Sequence, residues 1–435
     1  MLEFGTSRLG AWAWIALLVA CGTVMLADGN RYLPPGREKY ADRMGDGGAD
    51  LLPSFDSAHA LLTGQSPYHY QLPKLPRALT YEGFSYQYPP THALVYVPLA
   101  RWAGKSFRVA SRAQFFATLV ADVVLALAIV ELLAVAVPLS ADLRYALLGL
   151  FAFTLGLNPG AQLGLERGQS DIFTSAFCWW AALLFLRRHY AWAAFLACAG
   201  ALLKGYGAPF AVGLLALGVL RRGSRRGTVM GSLLAGALLV APVAKHFAEA
   251  PGAFRTRAHM YWAGWTNQGF YNLVHTIDAD FLPSAHHRLI GLSGLVYALT
   301  WWRLSRVLRR GTGAERAMAL VMYTCASLIL ILSFSRNALA YDTVLVLPGA
   351  LFLAASQRRF IPWPSTRFAF ARHALGLWLA VSTCLLFAMS AYRLIGIDAP
   401  PDGELPLHAV GQLGLLLVMA MFSVLPTPAS AHLMR

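Results

Sequence analysis

The sequence has few charged residues. Only 13% of its 435 residues are Asp, Glu, Lys or Arg, whereas a soluble domain carries about a quarter. Hydrophobic residues make up 57% of the chain. Many of them fall in runs of about 20 residues, the length that a helix needs to cross a bilayer. The shortage of charge therefore excludes an ordinary soluble protein and predicts an all-α integral membrane protein.

Cysteine pairs and several catalytic motifs are also missing. The five cysteines all lie inside apolar runs, without a CxxC pair, which argues against a disulfide framework and a cysteine metal site. The sequence has no P-loop, GxSxG or HExxH, and no GxGxxG in a strand–helix context. Nucleotide hydrolysis and metalloprotease chemistry are therefore unsupported. We predict neither a cofactor nor a bound metal.

The formal net charge of +15 does not indicate nucleic acid as a partner. The arginines lie in short clusters between apolar runs, which is the distribution that the positive-inside rule produces in membrane proteins. We therefore expect membrane lipids, and no nucleic acid, around this protein.

About twelve apolar runs predict transmembrane helices, and the first is interpreted as an uncleaved anchor. The runs are 10–27, 112–136, 143–157, 171–186, 190–203, 208–220, 228–245, 288–302, 317–334, 340–356, 373–394 and 405–425. A shorter run, 91–103, follows Pro89-Pro90. If it does not cross the membrane, every short arginine cluster lies in the cytoplasm, and if it crosses, all of them are exported. We therefore predict an interfacial helix over 91–103 and cytoplasmic termini.

This topology predicts a single polytopic membrane domain over residues 1–435. Its first extracytoplasmic loop covers 28–111, and its second long one covers 246–287. Extracytoplasmic loops contain nearly all the Asn, Gln, Tyr, His and Asp outside the spans, which favours a site open to the periplasm or cell exterior. The alternative is that longer extracytoplasmic loops are simply polar.

The first loop contains a short helical pattern that starts after Asp50 and ends at Gly64. Its apolar residues recur at helical spacing, which predicts an amphipathic helix along the membrane surface. If this site transfers a sugar from a phosphate-activated donor, it needs one general base and no paired acid. Asp50 is the candidate base, and a helix N-cap is its alternative role. Asp56 points to a different face and is predicted to be solvated.

Three cations at span mouths are candidates for binding the phosphate of a donor. Lys204 ends a span, and its alternative role is a side chain that merely snorkels to the interface. Arg336 offers a guanidinium for bidentate contacts with an oxyanion. Arg167 lies where the chain re-enters the membrane, and its alternative is a local ion pair, for instance with Asp171.

Amide and aromatic side chains of the same loops are candidates for binding a sugar or an acceptor. Amides hydrogen-bond sugar hydroxyls and aromatic rings stack on sugars, although tyrosines also form interfacial belts. The candidates are Asn267, Gln268, Tyr271, Gln169, Tyr88 and Tyr341.

Several short motifs, taken together, resemble glycosyltransferase family 87, the polyprenol-phosphate-sugar-dependent mannosyl- and arabinofuranosyltransferases. They follow the family's order and are Asp50-Leu51, Ala58, Leu61-Leu62, Gly64, Pro67-Tyr68, Tyr88-Pro89-Pro90, Pro98-Leu99, Gly168-Gln169, Lys204 with Pro209, and Asn267-Gln268 with Tyr271. Two positions depart from the family pattern. Tyr341-Asp342 precedes Leu347-Pro348 where histidines are common, and Arg167 stands where an Asn is common.

The resemblance implies a GT-C-type bundle of about 12 transmembrane helices, with the catalytic aspartate of the first extracytoplasmic loop at Asp50. It implies an inverting hexosyltransferase of the inner (plasma) membrane. The donor would be a polyprenyl-phosphate sugar, with mannose as the sugar, and the acceptor a glycolipid or cell-surface glycan of the cell envelope. The alternatives are an oligosaccharide ligase or polymerase that uses a diphosphate-linked lipid donor, and a lipid or solute transporter.

Overall fold

The computed structural model describes residues 51–68, 86, 88–104, 106–157, 169–251, 282–334, 340–360, 378, 382 and 407–424. Over these residues the regular secondary structure is helical, and they contain no strand. The α-helices are α1 (Leu51–Leu62), α2 (Pro90–Ala103), α3 (Phe107–Ala136), α4 (Ala141–Leu157), α5 (Asp171–Leu186), α6 (Tyr190–Lys204), α7 (Ala208–Leu220), α8 (Arg225–Ala235), α9 (Leu282–Arg310), α10 (Gly313–Phe334), α11 (Leu347–Phe360) and α12 (Leu407–Val424). A π-helix (Gly236–Val240) and two 3-10 helices (Ala241–Ala248 and Ala340–Leu345) complete them.

Three helices in the described ranges are long and apolar enough to cross a membrane: Val109–Ala136, Arg225–Ala248 and Gly313–Phe334. Shorter apolar helices include Asp171–Leu186 and Tyr190–Lys204. The prediction of an all-α membrane protein is thereby confirmed at this coarse level, while the count of about twelve spans stays a prediction. The predicted anchor at 10–27 and nearly all of the run 373–394 lie outside the described residues.

Helices α3 and α5 run side by side in the same direction. The indole Nε1 of Trp180 donates to the carbonyl of Val124 at 2.9 Å, and Arg187 contacts the carboxylate of Glu131. Both contacts join residues 56 positions apart, so the two helices keep one register over at least two turns. Arg144 also approaches Glu131, at 3.9 Å, and these charges mark one end of the bundle. The starts of α3 and α5 lie at the opposite end.

Helices α1 and α2 form a separate packed unit at that opposite end. Phe55 and its apolar neighbours on α1 pack against Tyr96 and Ala100 of α2 and against Ala110 of α3. Gly64 has a φ of 75° and ends α1 as predicted. With 14 residues, α2 is only about 21 Å long and too short to cross a hydrocarbon core of about 30 Å without help. The helix predicted over 91–103 is therefore present, and its interfacial position stays a prediction.

Candidate active site

Lys204 is buried at the end of α6. Gly205 follows in the left-handed conformation, with a φ of 83°, and closes the helix. The side chain of Lys204 is only 1% exposed, and its Nζ donates to Asp171 Oδ2 at 2.7 Å and to Gln169 Oε1 at 2.5 Å. The alternative of a snorkelling lysine is therefore wrong, because the ammonium is held inside the protein by two oxygen acceptors.

Asp171 is the first residue of α5, and its side chain is 2% exposed. One carboxylate oxygen accepts from Lys204, whereas Oδ1 is buried without a hydrogen-bond partner in the part of the chain that the structure describes. Its ion pair is thus made with a lysine on another helix. Arg167, the local partner considered from the sequence, lies outside the described residues.

Two tyrosine rings border the lysine. The Nζ of Lys204 lies 5.2 Å from the centre of the Tyr88 ring and 5.7 Å from that of Tyr206. These distances are within the range of cation–π attraction, which is stronger where water is excluded. The buried ammonium is therefore surrounded by a carboxylate, an amide oxygen and aromatic faces. Of the predicted residues, the structure brings together Lys204, Gln169 and Tyr88.

His92 is a residue of this cluster that the sequence reasoning missed. Its Nε2 lies 3.0 Å from Ser170 Oγ, and its ring is 4.4 Å from the ring of Tyr88. The centre of the Tyr96 ring lies 5.1 Å from that of His92. Tyr88, His92 and Tyr96 recur every four residues, so an aromatic stripe of a helical face was the available signal.

A buried polar stripe on α3 continues from these aromatic residues. Gln114 donates to the hydroxyl of Tyr96 at 3.1 Å, and Thr118 donates to the carbonyl of Gln114. Burial, together with nearby Tyr88 and Asp171, raises the pKa of Tyr96, so its hydroxyl stays protonated. One turn further along α3 lies Asp122, which is fully buried. This stripe also went unnoticed in the sequence because it lies inside an apolar run.

The first loop makes hydrogen bonds to the rest of the bundle at two places. Thr91 on α2 donates to the carbonyl of Leu202, which lies two residues before Lys204 in α6. Ser66, just after α1, donates to Glu249 at 2.5 Å. Tyr68 donates to the carbonyl of Tyr88 at 2.8 Å, and its pKa is raised by burial and by the charge of Glu249. Tyr88 thus accepts a hydrogen bond from Tyr68 at its backbone carbonyl, while its ring lies near Lys204.

The structure corrects the prediction for Asp56. This side chain was expected to be solvated, but it is only partly exposed, and its Oδ2 is buried without a hydrogen-bond partner among the described residues. Burial raises the pKa of Asp56 from 3.8 to about 7. The cause is the cost of removing a charged carboxylate from water.

The remaining predicted site residues lie outside what the structure describes. They are Asp50, Arg167, Asn267, Gln268, Tyr271, Arg336 and the side chain of Tyr341. Their roles stay predictions. The described residues contain no group of three His, Cys, Asp or Glu side chains that could hold a metal ion.

Comparison with known proteins adds one family match. The family model of glycosyltransferase family 87 matches residues 86–335, more than half of the chain. That range includes Tyr88, Gln169 and Lys204, whereas Asp50 precedes it. A search of curated proteins finds no match. Among solved structures, the crystal structure of ArnT from Cupriavidus metallidurans in the apo state is similar over 95% of this chain and 77% of that chain, with 15% sequence identity and a TM-score of 0.42.

Proposed function

The chain belongs to glycosyltransferase family 87 and is a membrane glycosyltransferase, and from this premise we propose its donor, acceptor and mechanism. It transfers a sugar, mannose, from a polyprenyl-phosphate donor to a glycolipid or cell-surface glycan on the extracytoplasmic side. The observation that carries the proposal is the buried cluster of Lys204, Asp171 and Gln169 against the ring of Tyr88.

The buried lysine supports a phosphate-linked donor. An ammonium held in a place without water interacts more strongly with an anion than one in bulk solvent, because the effective dielectric constant is lower. Charge of this kind stabilises a leaving phosphate as its negative charge develops. In the proposal Lys204 contacts the donor phosphate, and Arg336 and Arg167 complete the site.

The chemical step is a single displacement with inversion. Asp50 removes the proton from the acceptor hydroxyl, and the acceptor oxygen attacks the anomeric carbon. The bond between that carbon and the phosphate oxygen breaks, and polyprenyl phosphate leaves with the bonding electrons. The leaving phosphate needs no proton, so one carboxylate is sufficient, unlike glycoside hydrolysis with its acid and base pair.

The sugar is held by amide and aromatic side chains in the proposal. Gln169 and Tyr88 stand beside Lys204, so a sugar attached to the phosphate reaches both of them. Asn267, Gln268, Tyr271 and Tyr341 are the proposed partners from the later loops. Amides hydrogen-bond sugar hydroxyls and tyrosine rings offer an apolar face for stacking.

The proposed setting is a GT-C-type bundle in the inner (plasma) membrane, as a single domain with its active site facing the periplasm or exterior. The arginine-bearing end of the bundle, with Arg144 and Arg187, is assigned to the cytoplasm by the positive-inside rule. Lys204 and Asp171 lie at the other end of their helices, where an exported acceptor has access.

A reconstituted transfer assay tests the proposal. Purified protein in lipid vesicles is given polyprenyl-phosphate mannose with a radiolabelled sugar, together with envelope glycolipids as acceptors. Wild-type protein is expected to transfer the label, and Asp50→Asn and Lys204→Ala are expected to lose transfer by about 100-fold or more. Asp142→Asn is the matched control, because Asp142 is an exposed acid at the start of α4.

Four outcomes contradict the proposal in different ways. Transfer from a diphosphate-linked donor alone indicates a ligase or polymerase. Movement of the lipid across sealed vesicles without bond cleavage indicates a transporter. Full activity of Asp50→Asn removes the proposed base, and loss in Asp56→Ala alone transfers that role to Asp56.

A further inference from the structure

Asp171 has one engaged oxygen and one buried oxygen without a partner. Lys204 holds Oδ2 at 2.7 Å, which fixes the orientation of the carboxylate, while Oδ1 finds no hydrogen-bond partner in the described part of the chain. Buried polar atoms in folded proteins are nearly always hydrogen-bonded, because leaving one unpaired costs free energy. An oriented, unpaired carboxylate oxygen beside a candidate phosphate site therefore suggests that a substrate group completes it.

The chemistry of the oxygen limits what that group can be. An ionised carboxylate only accepts hydrogen bonds, so its partner must be a donor. The neighbouring groups are the amide oxygen of Gln169 and the rings of Tyr88 and Tyr206, all gathered around Lys204 Nζ. A carboxylate, an amide and aromatic faces are the groups that bind a polyhydroxylated ring.

We infer that Oδ1 of Asp171 accepts a hydrogen bond from a hydroxyl of the donor sugar and thereby determines which sugars are transferred. The inference rests on the proposed function. Asp171 would then serve two purposes: it holds the lysine that contacts the phosphate, and it selects the sugar that the phosphate carries.

The position of Asp171 identifies the hydroxyl. A phosphate oxygen and Asp171 Oδ2 that both accept from Lys204 lie within about 5.6 Å of each other, because each hydrogen bond is about 2.8 Å long. The sugar hydroxyl nearest to the glycosidic phosphate is the one on carbon 2, next to the anomeric carbon. Asp171 therefore contacts the 2-hydroxyl, and the configuration at carbon 2 determines whether this bond forms.

The test combines an enzyme variant with modified donors. Wild-type protein and Asp171→Asn are reconstituted, and kcat/KM is measured for polyprenyl-phosphate mannose and for its 2-deoxy and 4-deoxy analogues. Wild-type protein is expected to lose at least about tenfold more activity with the 2-deoxy donor than the variant does, because the variant has already lost the charged acceptor. The 4-deoxy penalty is expected to be equal in the two proteins.

Comparing the 2-deoxy and 4-deoxy penalties between the wild-type protein and the variant removes effects that do not involve Asp171. The intrinsic reactivity of a 2-deoxy sugar changes the rates of both proteins alike, and a general structural defect of the variant lowers all donors alike. Asp142→Asn, at an exposed position, is expected to retain the wild-type penalties. Equal 2-deoxy penalties in wild-type protein and Asp171→Asn overturn the inference.

A failure of the variant to fold leaves the inference testable on wild-type protein. The inference is supported if the penalty is clearly larger for the 2-deoxy than for the 4-deoxy donor and the carbon-2 epimer is rejected. Equal penalties overturn it. Absence of transfer from any monophosphate donor contradicts the proposed function instead. Transfer with equal penalties for the 2-deoxy and 4-deoxy donors contradicts only the role of Asp171.

Discussion

At the scale of single residues, the buried Asp122 is expected to destabilise the fold. It is fully buried on α3, and neither carboxylate oxygen has a hydrogen-bond partner among the described residues. Leucine has the same branched shape without polar atoms, so we expect Asp122→Leu to raise the free energy of unfolding by about 1–3 kcal/mol. Thermal unfolding in detergent measures the change, and a less stable variant would show that the carboxyl has a partner. Asp122→Asn is the control for charge alone.

The pair of Lys204 and Asp171 gives a second prediction. Removing one member of a buried ion pair leaves an uncompensated charge, so Lys204→Met is expected to destabilise the protein by about 3–5 kcal/mol. Adding Asp171→Leu removes the second charge and is expected to restore most of that stability. Unfolding measurements on the wild-type protein and on the single and double variants complete a double-mutant cycle.

Stability and activity are expected to separate in this cycle. The double variant lacks both the proposed phosphate contact and the proposed sugar contact, so transfer stays lost although stability returns. Losses that simply add in the double variant would contradict a direct ion pair.

Asp56 gives a prediction about pH. Its pKa is raised by burial from 3.8 to about 7, so between these values the folded protein holds a proton that the unfolded chain has released. Stability therefore falls as pH rises from about 4 to 7 and levels off above that range. Asp56→Asn is expected to remove this contribution, leaving the variant more stable than wild-type protein at pH 8 and similar at pH 4. Chemical unfolding at both values measures the difference, and equal curves at pH 8 would contradict the burial.

The partners of the site show what sequence alone could supply. Lys204, Gln169 and Tyr88 were predicted individually, because each stands at the mouth of an apolar run. The pairing of Lys204 with Asp171 was not predictable, because the residues lie on two helices and are 33 positions apart. Sequence spacing left only a local pair with Arg167 open as an alternative. Asp56 was misjudged because helical periodicity does not reveal what packs over a polar face.

At the scale of secondary-structure elements, the corner between α6 and α7 holds Lys204 in place. A Cβ on Gly205 meets no atom within 4 Å, but its φ of 83° is unfavourable for other residues. A Cβ on Gly207 would lie 2.7 Å from the backbone of Gly200. Gly205→Ala is therefore expected to cost about 1 kcal/mol through strain, and Gly207→Ala about 3 kcal/mol, because the helices must separate.

These two glycine variants also differ in their expected activity. Gly207→Ala moves α7 relative to α6 and is expected to raise the KM for the donor. Gly205→Ala is expected to have the wild-type KM. Unfolding and transfer assays on both variants measure this. Equal effects would show that the corner does not depend on close backbone packing.

The helices themselves were partly predictable. The patterns over 51–62 and 91–103 became α1 and α2 nearly as predicted, because proline, glycine and apolar spacing define their ends. The run 228–245 was predicted as a single span, and one candidate span, Arg225–Ala248, is present there. Within it the structure changes from α8 to a π-helix and then to a 3-10 helix. Pro242 lies in this part and has no N–H to donate, so regular α-helical bonding cannot continue through it. Apolar composition predicts a membrane span but does not predict where its helix departs from regular α-helical hydrogen bonding.

At the scale of the whole molecule, the common register of α3 and α5 separates two chemically different ends. Glu131, Arg144 and Arg187 meet at one end. Lys204, Asp171 and His92 gather at the other, where α2 contacts the bundle. The placement of the arginines predicts such a division, because short basic loops stay in the cytoplasm, and the side that each end faces stays a prediction. The sequence could not predict which polar residues of the other end contact each other.

The division predicts which side of the membrane each end faces. Gln65, after α1, and Arg222, at the far end of α7 from Lys204, are both exposed. In a cysteine-free background, Gln65→Cys is expected to react with a membrane-impermeant maleimide on intact cells. Arg222→Cys is expected to react only after permeabilisation, because the loop after α7 is cytoplasmic in the predicted topology. Labelling of both cysteines on intact cells would mean that α2 crosses the membrane, because Gln65 and Arg222 would then lie on the same side. It would also move the Lys204 cluster to the cytoplasmic side, where an exported acceptor could not reach it.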